Sequence, residues 1–196
     1  MRKAIKNPDS KIITDNLKYV SGNSLTIKSL AEILLKEQKN FCAYTDEYIS
    51  RTDARDIEHF NPTLKDTPQD NYHNWFIVKS INGTKNKSYK WDKFQPILHP
   101  TADDFEERII YIKGDYFAQS DADIEAKNLI NLLQLDNLVL ADNRKKYIKR
   151  KRDDMIAYNQ GAIEFFTTLI NCSTCEISYL RAIKEEFGID IWQILD

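Results

Sequence analysis

A short extended segment, Asp56-Ile57-Glu58-His59-Phe60, is stopped by Asn61-Pro62. Proline has no N–H and pushes the residue before it away from helix. A polar loop, residues 63–70, follows, and then the apolar run Trp75-Phe76-Ile77-Val78 opens directly behind His73-Asn74. Two short apolar pieces flanking a polar loop fix the centre of the chain. They also set a geometric condition. Neighbouring residues of a strand point to opposite faces, so Glu58 and His59 serve one site only where the strand is twisted or bulged.

The rest reads mostly as helix. Leu30, Ile33 and Leu34 recur at helical spacing within residues 24–39, with Lys28, Glu32, Lys36 and Glu37 outside. Residues 41–44 are aromatic and strand-like, and Tyr48-Ile49-Ser50 continues them as a hairpin. Residues 80–87 form a short helix or tight turn. Residues 96–101, with two prolines, make a rigid extended linker. Arg108 to Ile112, Gly114 and Tyr116-Phe117 spell a second hairpin. Residues 122–135 are helical, with Ile124, Leu129, Leu132 and Leu133 on one side. A long helix spans 136–170 with an interruption at Gly161. A last helix, 177–187, stops at Gly188, a residue suited to the left-handed position after a helix. The expected fold class is α+β, mostly helical, with a small β-rich insert holding the notable residues.

The chain has 196 residues, enough to bury a core as a single domain over 1–196. Its net charge of −2 gives no blanket of positive charge, so contact with nucleic acid must come from local patches. Three cysteines, Cys42, Cys172 and Cys175, make an odd number and point to a reducing compartment. The first residues lack the apolar core of a signal peptide, and no apolar run reaches membrane-spanning length. The expectation is a soluble, cytoplasmic protein.

The central residue types match the needs of phosphodiester hydrolysis. A water must lose a proton, for which an imidazole titrating near neutrality is suited. Charge on the phosphoryl and leaving oxygens must be neutralised, which one divalent ion does as a Lewis acid. Mg²⁺ prefers oxygen ligands and keeps several waters, so two protein ligands suffice. His59 is thus the expected general base, and Glu58 and Asn82 the expected ligands of one Mg²⁺ or Mn²⁺. Asn74 is expected to bond the imidazole or the loop backbone and to fix the ring. Lys85 follows Asn82 by one helical turn and can meet a substrate phosphate. Lys79, Lys87 and His73 add to that substrate-binding set.

Residues 41–88 resemble an HNH, or ββα-metal, endonuclease module inserted in a helical scaffold. The scaffold is the N-terminal helix, 24–39, and the C-terminal helical region, 122–190. In the resemblance Glu58-His59 match the paired metal ligand and general base, Asn74 the middle position and Asn82 the final metal-binding position. Cys42-Ala43-Tyr44, Ile57-Glu58-His59-Phe60, Asn82-x-x-Lys85 and Leu98-x-Pro100-Thr101-x-Asp103-Asp104, with residues 128–135, are similar to the PtuB type. That type comprises the HNH proteins of Septu anti-phage systems and of certain retrons. The resemblance implies a nuclease subunit acting on DNA or RNA beside an ABC-like ATPase of the PtuA type. Many relatives carry two Cys-x-x-Cys pairs that hold a structural zinc. Here Thr45 matches Cys42, and Lys79 and Ile81 stand near the second pair, so a four-thiolate site cannot form. Packing by Phe41, Tyr44, Trp75 and Phe76 is expected in its place.

Other features weigh less. Arg144, Lys145, Lys149 and Arg150 belong to a dense basic run expected to offer a nucleic-acid or partner surface. Cys172 and Cys175 have redox spacing, but no βαβ pattern surrounds them, so they are read as a buried pair of small residues. Asp103, Asp104, Glu106 and Glu107 are read as helix N-terminal charge or a partner contact. His99 is given a structural role in the linker. The alternative to a nuclease is a catalytically degenerate HNH module that binds nucleic acid or serves assembly.

Overall fold

A computed structural model describes residues 1–80 and 87–195. Asn82 and Lys85 lie outside the described residues, as does the side chain of Lys87. The fold is α+β, about half helical, with two small antiparallel sheets.

A single turn, α1 (Lys11–Thr14), precedes α2 (Ser24–Glu37). The Asn23 side chain accepts from the Thr26 N–H and caps α2, whose Leu30 and Leu34 are fully buried. The apolar stripe of α2 lies on the first sheet, β1 (Arg55–His59) paired with β2 (Trp75–Lys79). The register runs without a bulge from Arg55↔Lys79 through Glu58↔Phe76 to His59↔Trp75. Trp75, Phe76, Ile77 and Val78 are all buried, as a run covered on both faces must be.

The outer edge of β2 is closed by side chains as well as backbone. Gln38, at the C-terminal end of α2, takes the place of a third strand. Its Oε1 accepts from the Ile77 N–H at 2.8 Å and its Nε2 donates to the Ile77 carbonyl at 2.9 Å. Beside it, the Ala43 N–H donates to the Ile77 carbonyl, and the Cys42 Sγ accepts from the Lys79 N–H at 3.4 Å. The edge is thereby denied to another chain. Residues 41–44 are not a strand. Phe41 and Tyr48 form an isolated bridge around a turn. Phe41, Tyr44, Trp75 and Phe76 are each at most 3% exposed, and Cys42 is buried with them.

After the short α3 (Lys87–Lys90) and a 3-10 turn over Trp91–Phe94, the chain passes to α4 (Phe105–Arg108) and the hairpin β3 (Ile109–Ile112), β4 (Asp115–Ala118). Gly114 turns this hairpin at φ +92°, and a Cβ there would meet the Lys145 stem at 2.6 Å and the Ala141 carbonyl at 2.9 Å. The hairpin can therefore lie against a helix only with glycine at its tip.

Four helices complete the chain: α5 (Ile124–Leu133), α6 (Leu138–Ala157), α7 (Ala162–Ser173) and α8 (Leu180–Phe187), followed by the turn α9 (Ile191–Ile194). The long helix expected over 136–170 is two helices, broken by the non-helical residues 158–161 before α7. Gly188 ends α8 at φ +71°, as its position indicates. Ile124 is 53% exposed, because the buried face of α5 is Ala126, Leu129, Ile130 and Leu132. Among the described residues no helix is long and apolar enough to cross a membrane.

Candidate active site

β1 ends with His59, which is 6% exposed. Its Nε2 lies 3.0 Å from the Oδ2 of Asp70, a buried carboxylate at the end of the polar loop. The other oxygen of Asp70 accepts from Asn74 Nδ2 at 2.9 Å and from the Trp75 indole N–H at 2.7 Å. The 3.0 Å spacing from Nε2 makes the Asp70 carboxylate the electrostatic neighbour of the imidazole.

Asn74 builds this pair indirectly. Asn61 caps the 3-10 turn over Pro62–Leu64, and Asn71 caps a second one over Tyr72–Asn74. The Asn74 carboxamide then ties the two ends of the loop together at Asn61 while holding Asp70. Of the two roles expected for Asn74, the bond to the loop backbone is the one formed, and the imidazole is reached through Asp70. The sequence reading passed over Asp70. One of two acids in a polar loop, Asp70 carries no periodic signal, and only its spacing of four from Asn74 hints at a shared turn.

A second residue missed was Tyr19. It lies between α1 and α2, and its ring meets the His59 ring edge-on at a centroid distance of 4.5 Å. Ser21 Oγ donates to the carboxylate of Asp66, and Lys65 Nζ lies 5.4 Å from the Tyr19 ring centroid. The segment 17–22 is thus strapped across the loop that carries the site.

Glu58 stands on the other face of β1. Its cross-strand neighbour is Phe76, and its charge reaches the buried Tyr44. The Tyr44 phenol is held well above its ordinary pKa by burial first, then by Glu58 and Cys42. The regular register contains no bulge that would bring Glu58 round to the His59 side. As metal donors, Glu58 and Asn82 are both oxygen ligands suited to a hard, hydrated cation. Among the described residues no three His, Cys, Asp or Glu side chains gather around one point. Glu58 is the member of the expected metal pair with a described position.

His99 proves to pack against the site rather than in a detached linker. Its ring lies 4.8 Å from Phe60 and 6.2 Å from Phe76, centroid to centroid. The Thr101 N–H donates to Nδ1 at 3.3 Å, which leaves the proton on Nε2. Burial, then the charges of Lys6 and His73, lowers its pKa to about 4. His99 and the exposed His73 line one cleft of about 320 Å³ with Asn61 and Asn74.

Of the expected substrate-binding lysines, Lys79 pairs with Asp53 at 3.1 Å. The basic run does lie on one helix, α6, but not as one surface. Arg144 is 2% exposed, against the expectation of a surface residue. It stands on the inward face with Ala141, Tyr147 and Ile148, over the Tyr116 ring, and its Nη2 donates to the Leu135 carbonyl at 2.7 Å. A planar guanidinium can be buried in this way where aromatic faces and carbonyls receive it. Lys145, Lys149 and Arg150 are exposed. Lys149 pairs with Asp153 at 2.6 Å, and Lys145 lies 3.9 Å from Asp142.

Cys172 and Cys175 are exposed, which corrects their reading as a buried pair. They fall at the end of α7 and in the 3-10 turn that follows, beyond the reach of both apolar clusters. The acidic residues mostly meet partners within the chain. Glu106 pairs with Arg181 and Lys184, each at 2.8 Å, and Asp103 and Asp104 face Lys3 and Arg108. No family model, curated protein or solved structure matches this chain.

Proposed function

We propose that this chain is a metal-dependent endonuclease of the HNH type that hydrolyses phosphodiester bonds of DNA or RNA. We further propose that it is the nuclease subunit of an anti-phage defence complex, with an ABC-like ATPase of the PtuA type as partner, in the cytoplasm. The observation that carries the catalytic part is the buried His59–Asp70 pair, with Nε2 and Oδ2 3.0 Å apart at the end of a two-stranded antiparallel unit. The partner rests on the sequence resemblance alone.

In this reading the His59 imidazole takes the proton from the attacking water, with the Asp70 carboxylate beside it. The Asp70 charge then stabilises the imidazolium that forms. Asn74 holds Asp70 and the loop in register. A divalent ion held by Glu58 and Asn82 supplies Lewis-acid stabilisation of the phosphoryl oxygens when bound. Lys85, Lys87 and His73 meet the nucleic-acid backbone or bases.

The test is cleavage of duplex DNA, single-stranded DNA and RNA with Mg²⁺ or Mn²⁺, by the chain alone and with its ATPase neighbour. His59→Ala should lower the rate by about 10²–10⁴-fold. Asp70→Asn should lower it less, with folding retained. Undiminished cutting by His59→Ala would refute the base assignment.

One observation favours a second reading, in which the module binds nucleic acid or assembles a complex without cutting. Glu58 and His59 alternate on a regular strand and do not share a face. Binding of nucleic acid without cleavage under every condition above would select it.

A further inference from the structure

We propose that the cleft between His73 and His99 receives one unpaired base of a nucleic-acid substrate; naming a nucleobase as the ligand rests on the nuclease reading above. The cleft measures about 320 Å³, the small end of the range for ligand sites and enough for a single planar ring system.

Its floor is apolar and aromatic. Phe60 is 3% exposed, and its ring meets Trp91 at 5.4 Å and His99 at 4.8 Å, both edge-on. Leu64 and Ile97 close the sides. Such a floor accepts a flat ring and rejects a phosphate, which would lose its water without a compensating charge.

Two side chains inside it offer hydrogen-bond donors. His99 uses Nδ1 on Thr101, so the Nε2–H is its donor. Asn61 uses Oδ1 on the N–H and hydroxyl of Thr63, which leaves its Nδ2 as a second donor. His73 is exposed at the mouth, and its ring touches Tyr72 edge-on at 5.5 Å with its outer face open for stacking. Neutral donors above an aromatic floor, with a stacking ring at the entrance, suit the ring nitrogens and carbonyl oxygens of a base. A basic cradle would suit its phosphate instead.

The place of the cleft gives the occupant a function. Asn74 lines it and also bonds Asp70, whose carboxylate lies 3.0 Å from His59. A base seated here fixes the strand beside the reacting bond and selects single-stranded, looped or frayed sites over intact duplex.

The chain contains three histidines, so their ring C–H signals can be followed singly by NMR in the full-length protein. The probes are the monophosphates of adenosine, guanosine, cytidine and uridine, with ribose 5-phosphate as control. We expect saturable shifts of the His73 and His99 signals at about millimolar concentration with at least one nucleotide, and none with ribose 5-phosphate. His73→Ala, an exposed change, should weaken that response at His99 by about fivefold or more. Absence of shifts, equal shifts with ribose 5-phosphate, or an unaffected His73→Ala would each overturn the proposal. Cleavage without such shifts overturns the cleft alone, and shifts without cleavage overturn the nuclease reading while sustaining the cleft.

Discussion

Asn74 grips Asn61 by both edges of its carboxamide: Oδ1 accepts from the Asn61 N–H at 2.7 Å, and Nδ2 donates to the Asn61 carbonyl at 3.0 Å. The orientation of the amide is fixed by these partners, because Nδ2 also donates to Asp70. One buried side chain thus sets where the loop leaves β1 and where the carboxylate behind His59 sits. Asn74→Ala removes three hydrogen bonds from a largely buried cluster and should lower stability by about 2–4 kcal/mol. Asn74→Asp, although isosteric, should cost more, since an oxygen would then face both the Asn61 carbonyl and the Asp70 carboxylate. Urea unfolding of the two variants checks this order. An aspartate variant as stable as wild type would mean that the carboxamide does not carry the loop.

Tyr19 covers His59, and its own segment is held by contacts at the surface. The Ser21–Asp66 bond and the Lys65–Tyr19 contact are exposed and therefore weak. Truncating Tyr19 to alanine should leave the fold intact and open the imidazole to solvent. Exchange of the His59 C2 hydrogen, read by mass spectrometry, should then speed up several-fold while that of His99 stays as it was. An unchanged His59 rate would show that other residues bury the ring.

Much of the local structure was written in periodic or punctuated sequence. The stripe of Leu30 and Leu34, the apolar run behind Asn74, the stop at Asn61-Pro62 and the glycine at 188 all act within one element, and each lies where its pattern puts it. The alternation of Glu58 and His59 was also readable, and the unbroken register keeps them on opposite faces. The unread part depended on distant pieces of chain. Asp70 reaches His59 only because two 3-10 turns fold the loop back, and Tyr19 and His99 arrive from outside the expected module. Charge misled on α6. Arg144 stands on the inward face, where a ring and a carbonyl receive it, yet its charge suggested a nucleic-acid or partner surface. Asn82 and Lys85 lie outside the described residues, so Glu58 is the part of the expected metal pair with a described position.

His99 makes stability depend on pH in a direction its surroundings determine. Its folded pKa is lowered from 6.5 to about 4 by burial first, and then by Lys6 and His73. Between those values the unfolded chain binds a proton that the folded ring refuses. Stability contributed by this group is therefore complete above about pH 6.5 and is lost as pH falls toward 4. For a half-buried ring open to solvent screening the loss is on the order of 1–2 kcal/mol. His99→Asn keeps an acceptor toward the Thr101 N–H and cannot titrate. At neutral pH it should be less stable than wild type, because the packing of the ring on Phe60 and Phe76 is gone. The gap should then narrow as the solution is acidified. Chemical denaturation of both proteins at a series of pH values measures the gap directly, with the remaining carboxylates cancelling in the difference. A gap that stays constant from neutrality down to pH 4 would mean that His99 titrates alike in the folded and unfolded chains.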